Sequence, residues 1–173
     1  SGFNEASGTF TPEPQTQAVL QWVPESPQRY IRRLPDGSME IYQHLYIAKN
    51  ESRRFMLSAV VDKFGNSVKL NYDTSSRLIS LTDAVGRVTR FDYQNQAFPE
   101  RITQVTDFGG RRIQLKYSDT GNLQSITDVI GIESRFNYVA DGVIDALTTP
   151  YGTTRFESGR DGYYWWLQVT DPM

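Results

Sequence analysis

Four stretches of the chain alternate between apolar and polar residues with the two-residue period of a β-strand. Val68, Leu70 and Tyr72 share one face, with Ser67, Lys69 and Asn71 on the other. Ile113, Leu115 and Tyr117 alternate in the same way with Arg112, Gln114 and Lys116. In the other two stretches the apolar positions are held by Phe91 with Tyr93 and by Phe136 with Tyr138. Between these lie return strands, Leu78-Ile79-Ser80-Leu81-Thr82 and Leu123-Gln124-Ser125-Ile126-Thr127. Leu78 and Leu81 are three residues apart, which a straight strand would place on opposite faces, so a bulge or bend near the strand start is expected.

The strands are spaced regularly. An apolar-Thr-Asp step, or a close variant, occurs at Val60-Val61-Asp62, Leu81-Thr82-Asp83, Val105-Thr106-Asp107, Ile126-Thr127-Asp128, Leu147-Thr148-Thr149 and Val169-Thr170-Asp171. A glycine stands three residues after each of the first five, at Gly65, Gly86, Gly110, Gly131 and Gly152. Seven residues beyond the first four glycines comes a tyrosine: Tyr72, Tyr93, Tyr117 and Tyr138. The period is 21 residues, stretched once to 24. Asp at the first position and Gly at the fourth marks a type I turn, with the Asp side chain accepting a backbone N–H and the Gly supplying positive φ. A second turn follows each tyrosine, as at Asp73-Thr74-Ser75-Ser76 and Ser118-Asp119-Thr120-Gly121. Each period is therefore one β-hairpin, and the chain is an array of small like units. The longer period has its extra residues between Tyr93 and Ile102 and is expected to lengthen a loop while leaving the strands untouched.

Three regions are expected: residues 1–28, a polar, Pro-interrupted arm or linker; residues 29–56, a degenerate β prelude; and residues 57–173, the hairpin array, cut in mid-repeat because Asp171-Pro172 opens another turn. The chain reads as a piece of a longer protein. At 173 residues it is long enough for an ordinary domain with a real core. A net charge of −2 without a basic stripe argues against nucleic acid as the main partner. No apolar run is long enough to span a membrane. Cysteine is absent, which excludes a disulfide framework and thiolate metal sites.

Asn71-Tyr72-Asp73 followed by Arg77-Leu78, and Thr82-Asp83-Ala84-Val85-Gly86-Arg87, resemble the YD repeat of Rhs proteins. Gly110-Arg111, Tyr117, Gly121-Asn122-Leu123 and Thr127-Asp128-Val129-Ile130-Gly131 carry the same pattern again. The resemblance covers roughly residues 57 to 173, and more loosely the stretch from 30. The literal Tyr-Asp pair stands only at Tyr72-Asp73; elsewhere it is Tyr93-Gln94, Tyr117-Ser118 and Tyr138-Val139. The resemblance implies an all-β fold of tandem antiparallel hairpins in a curved, twisted sheet, one arc of a hollow β-shell. It also implies that the shell encloses a C-terminal toxin or other cargo, and that the protein is secreted or lies on the surface of a bacterium. The partner would then be the rest of its own chain.

Candidate chemistry is sparse. The repeated Asp residues supply oxygen ligands of the kind calcium takes, but each is already occupied by its turn. The repeated aromatics suit sheet packing, each burial being worth roughly 1.5–3 kcal/mol. Tyr163-Tyr164-Trp165-Trp166 is the candidate binding patch, for glycans or a cell-surface receptor, since alternation leaves one pair free of the sheet. His44 is the only histidine, so any Ser-His-Asp triad must use it, and no motif surrounds it. Asp141 and Asp145 read as solvated turn groups, and the many Arg residues as members of cross-strand ion pairs. The expectation is a non-catalytic structural segment with no cofactor and no metal, whose unpaired edge strands favour dimerisation. The rivals are a carbohydrate- or receptor-binding module and a carboxylate-based glycoside hydrolase.

Overall fold

The computed structural model describes residues 2–48, 50–139 and 142–172. Sixteen strands pair antiparallel in the order in which they occur in sequence. The chain divides into two units, Ser1–Arg90 and Phe91–Met173. The first holds β1 (Phe3–Asn4), β2 (Thr9–Phe10), β3 (Val19–Val23), β4 (Arg29–Arg33), β5 (Met39–Ile47), β6 (Arg53–Val61), β7 (Ser67–Tyr72) and β8 (Leu78–Thr82). The boundary falls in β9 (Val88–Asp92). The second unit continues with β10 (Gln104–Thr106), β11 (Arg112–Tyr117), β12 (Leu123–Thr127) and β13 (Glu133–Tyr138). It ends with β14 (Ile144–Thr149), β15 (Gly152–Asp161) and β16 (Tyr164–Thr170).

One turn geometry closes eight of the hairpins. In the turns that start at Leu34, Ala48, Asp62, Asp73, Asp83, Asp107, Ser118 and Asp128, the first residue donates its N–H to the carbonyl four residues on. Its own carbonyl accepts from the residue three on, and these bonds span 2.8–3.2 Å. That fourth residue always has positive φ, from +61° at Glu51 and Ser76 to +89° at Gly37 and Gly65. This is a type I turn closed by a left-handed residue, the three-residue hairpin loop whose twist matches that of the strands. The strands on the two sides of each unit then differ in register. Hairpins closed by an Asp turn in the regular array pair over three residues, as in Ser125↔Arg135, Ile126↔Ser134 and Thr127↔Glu133. Hairpins closed by the other turn pair over four positions with a bulge. Tyr72 faces Leu78 while Asn71 faces Ser80, so Ile79 is the extra residue. The same bulge recurs at Tyr117↔Leu123 and Tyr138↔Ile144. It resolves the spacing of Leu78 and Leu81 and lets Leu81 meet Leu70 across the strands.

Four sequence expectations need correction. Residues 1–28 are no linker: they carry β1 to β3, and β3 pairs with β4 over five residues from Val19↔Arg33 to Val23↔Arg29. Apolar side chains scattered among the prolines hold them, with Phe10 and Trp22 stacked on Tyr30 and Ala18 2% exposed. The expected boundary at residue 57 falls inside β6. Tyr42 faces Leu57 at a bulge, and the turns at Leu34 and Ala48 share the common geometry, so residues 34–61 are themselves a repeat with longer strands. Nor does the long period leave its strands intact, because β10 is only three residues, against five in β8 and β12. The 94–101 loop folds on itself, with Asn95 Oδ1 accepting from the N–H groups of Ala97 and Phe98 at 3.0 Å, and it draws Ile102 and Thr103 out of the strand.

The fourth correction concerns the core. Among the described residues only Ala18, Ile31, Val61, Gly121, Ser125 and Ala146 are buried. Among the described residues substantial contacts run between strands adjacent in sequence, and leucines and aromatics such as Leu70, Tyr72, Leu115, Tyr117 and Tyr138 are half-buried. Such an array is quasi-one-dimensional, each unit stabilised by the next.

Candidate functional site

The repeat positions form two recurring constellations. The first is the turn carboxylate. Asp83 Oδ1 accepts from the N–H groups of Val85 (3.0 Å) and Arg87 (2.9 Å), and its Oδ2 accepts from Arg87 Nε at 2.7 Å. Asp107 repeats the set with Gly109 and Arg111, and Asp73 with Ser75 and Arg77. At Asp62 the side-chain donor is Asn66 Nδ2 at 2.8 Å. Asp128 keeps the two backbone bonds, from Ile130 and Ile132 at 2.9 Å. Hydrogen bonds to the ionised form hold Asp62, Asp73, Asp83 and Asp107 below their ordinary value: at Asp73 and Asp83 the largest cause is the backbone N–H, at Asp107 the Arg111 side chain and at Asp62 the Asn66 side chain. The arginines thus close turns from within, at i,i+4, where cross-strand pairs were expected. Arg32, opposite Glu40 at 3.2 Å, is a cross-strand pair. Gly65, Gly86, Gly110 and Gly131 close the same turns with φ between +80° and +89°.

The second constellation is the tyrosine. Tyr72 donates its hydroxyl to the Leu57 carbonyl at 2.7 Å, Tyr117 to Ile102 at 2.8 Å and Tyr138 to Leu123 at 2.8 Å. Each acceptor lies 15 residues upstream, in the hairpin before. Leu57 and Leu123 occupy the bulge of that preceding hairpin, where the ladder to the next strand has stopped and the carbonyl has no strand partner. The tyrosine therefore covers the gap with its ring and satisfies the carbonyl with its tip. Burial raises the phenols of Tyr72 and Tyr117 above their ordinary value. Tyr93 occupies the same repeat position in the sequence and is half-buried. Nothing in strand patterning predicts this bond, because alternation treats Tyr and Phe alike; the choice of Tyr over Phe at all four positions was the available signal.

The last unit breaks the pattern. Thr149 pairs directly with Gly152 across Pro150 and Tyr151, a two-residue loop, which is why Phe156 stands one residue nearer its glycine than Phe136 does. Gly152 has φ +129° and lies against Pro172. β15 pairs with β14 only from Gly152 to Arg155, so residues 156–169 project as a two-stranded finger. Its tip carries Tyr163, 91% exposed, with Tyr164, and Trp165, 76% exposed with the Arg160 guanidinium 5.8 Å from its ring. Trp166 lies over Gly159, its cross-strand partner, where no side chain intervenes. The candidate patch is thus split: Trp166 packs, while Tyr163, Tyr164 and Trp165 face outward.

No catalytic constellation forms among the described residues. His44 stacks on Tyr72 at 4.6 Å and its Nε2 lies 2.9 Å from Ser76 Oγ, with no carboxylate on the ring. Asp145 accepts from Asn137 Nδ2 at 2.8 Å, and Asp141 lies outside the described residues. No group of acidic or histidine side chains is arranged to hold a metal among the described residues. No helix is long and apolar enough to cross a membrane.

A sheet built by repetition of one turn, one bulge and one tyrosine bond defines a tandem-hairpin repeat protein of the all-β class. Residues 72–112, from the first such tyrosine through the third Asp–Arg turn beyond it, match the family model described as RHS Repeat, which supports membership of the Rhs/YD-repeat family. The RHS repeat is a structural repeat. No curated protein matches the chain.

Proposed function

We propose that this chain is a non-catalytic wall segment of an Rhs-type β-shell that encloses a C-terminal cargo, in a protein exported to or beyond the bacterial surface. The observation that carries this reading is the tyrosine-to-carbonyl bond between successive hairpins. At Tyr72, Tyr117 and Tyr138 it fastens a hairpin to its predecessor, so the sheet is extended by adding units and the chain's chemistry is spent on joining them. A surface that grows in this way suits a wall better than a site. The test uses the whole gene product: a C-terminal segment inside a shell resists protease at concentrations that digest the same segment expressed alone. Equal digestion of both sinks the reading.

The exposed aromatics of the β15–β16 finger favour a second function, recognition of glycans or a cell-surface receptor, because aromatic faces stack on pyranose rings. Binding on a glycan array that disappears in Trp165→Ala, with the fold retained, is the expected result of that reading.

A further inference from the structure

The repeats do not account for the aromatic face of β3 to β6. Trp22 and Tyr30 pack with ring centroids 4.6 Å apart, and Phe55 meets both edge-on at 5.6 and 5.4 Å. Above these rings lies a cleft of about 770 Å³, walled further by Leu20, Leu45 and Tyr42. That volume is in the range of small-molecule sites, and so is the mixture of rings with a few polar groups. Its cations fall into two sets. Arg32 is neutralised, bonded to Glu13 at 2.8 Å and to Glu40 at 3.2 Å, and Tyr42 donates to the same Glu40 at 2.7 Å. Arg53, two residues from Phe55 in β6 and so on the same face as the rings, has no carboxylate partner among the described residues, while Arg54 falls on the opposite face.

We propose that this cleft binds a small amphiphilic organic anion, with its apolar or aromatic body on Trp22, Tyr30 and Phe55 and its acidic group on Arg53. A planar guanidinium beside an apolar floor binds carboxylate or sulfonate oxygens through paired N–H donors, and the rings remove the body of the ligand from water. The Arg32 end is already supplied with two carboxylates and repels an acid there, which fixes the ligand's orientation. No step of the wall-building role requires an unneutralised arginine at the rim of an aromatic trough, so this site stands apart from that role.

The probe is 8-anilinonaphthalene-1-sulfonate, followed by its fluorescence on the full chain, with the neutral N-phenyl-1-naphthylamine in parallel. Saturable sulfonate binding is expected, weakened about tenfold in Arg53→Gln through loss of the charged hydrogen bonds and unchanged in Arg54→Gln. The neutral probe binds Arg53→Gln and the parent equally. Both substitutions are at exposed positions, and an unchanged far-UV circular dichroism spectrum verifies the fold. The proposal is overturned by absence of saturable binding, by equal sulfonate affinity in Arg53→Gln and the parent, or by parallel loss of both probes. It is also overturned if Trp165→Ser, at the exposed finger, abolishes the signal.

Discussion

The tyrosine of each repeat has two tasks, and only one of them is apolar. Its ring lies among half-buried side chains, but its hydroxyl ends on a carbonyl that the bulge of the preceding hairpin has withdrawn from the ladder. Tyr138→Phe keeps the ring and strands the Leu123 carbonyl, so urea unfolding should show a loss of about 1 kcal/mol. The same substitution of an exposed tyrosine, Tyr163→Phe, should leave stability unchanged. The turn carboxylates make a prediction in pH. Asp62, Asp73, Asp83 and Asp107 are depressed below the ordinary value of 3.8 in the folded chain. Their contribution is therefore complete above that value and is lost as pH falls through the lower folded values. Thermal melts should be flat from neutrality to about pH 5 and fall steeply below pH 4, and Asp83→Asn together with Asp107→Asn should flatten that acid limb. Tyr42 acts at the other extreme: burial, with the Glu40 bond, pushes it up to about 12. Its contribution holds below the ordinary value of 10.0 and is lost as pH rises toward 12.

At the scale of the element, the hairpin was written plainly in the sequence because its signals are local. Alternation, Asp at the first turn position and Gly at the fourth act within a few residues and need no tertiary partner. Even the bulge was visible, as the odd spacing of Leu78 and Leu81. What escaped was whatever depended on a second hairpin. The Tyr138 bond reaches 15 residues back. The first three strands are held by rings on β4 and β6, which lie beyond the reach of any local pattern. The start of the array was misplaced because Glu51 occupies a left-handed position normally marked by Gly, at φ +61°. Two glycines separate backbone need from space. Gly131 has φ +88° and open surroundings, so Gly131→Ala should cost about 1 kcal/mol, the strain of a left-handed alanine. Gly121 has φ +82° and the Phe98 ring where a Cβ would stand, 2.8 Å from Cε1. Gly121→Ala should cost more than Gly131→Ala, and Phe98→Ala should bring the two closer together. Equal midpoints for the two single variants would show that the 94–101 loop does not rest on that turn.

Across the whole molecule, stability is a sum over neighbours, since among the described residues the substantial contacts join strands adjacent in sequence. Removal of one complete period is then survivable. Deleting residues 118–138 joins Tyr117 to Val139, and Tyr117 takes the position of Tyr138 opposite Ile144. The shortened chain should retain the β-type circular dichroism of the parent per residue and unfold at a modestly lower urea concentration, with a smaller dependence on denaturant. A disordered spectrum would mean that the units are not interchangeable. Sedimentation of the parent chain tests another property of an open sheet. Edge pairing between copies should give concentration-dependent association, and a lysine in place of Leu167 on β16 should oppose it.

The turn common to both ends of the hairpin carries a last consequence, in the history of the gene. The copies at Tyr72, Tyr117 and Tyr138 share the same closing geometry and the same relation of tyrosine to bulge, so a recombination event that exchanges corresponding points in two of them should change the number of repeats and leave the fold intact. Length is thereby a freely heritable variable in such a protein. Selection can fit the size of the array to its task by counting copies, with no new side-chain packing to invent.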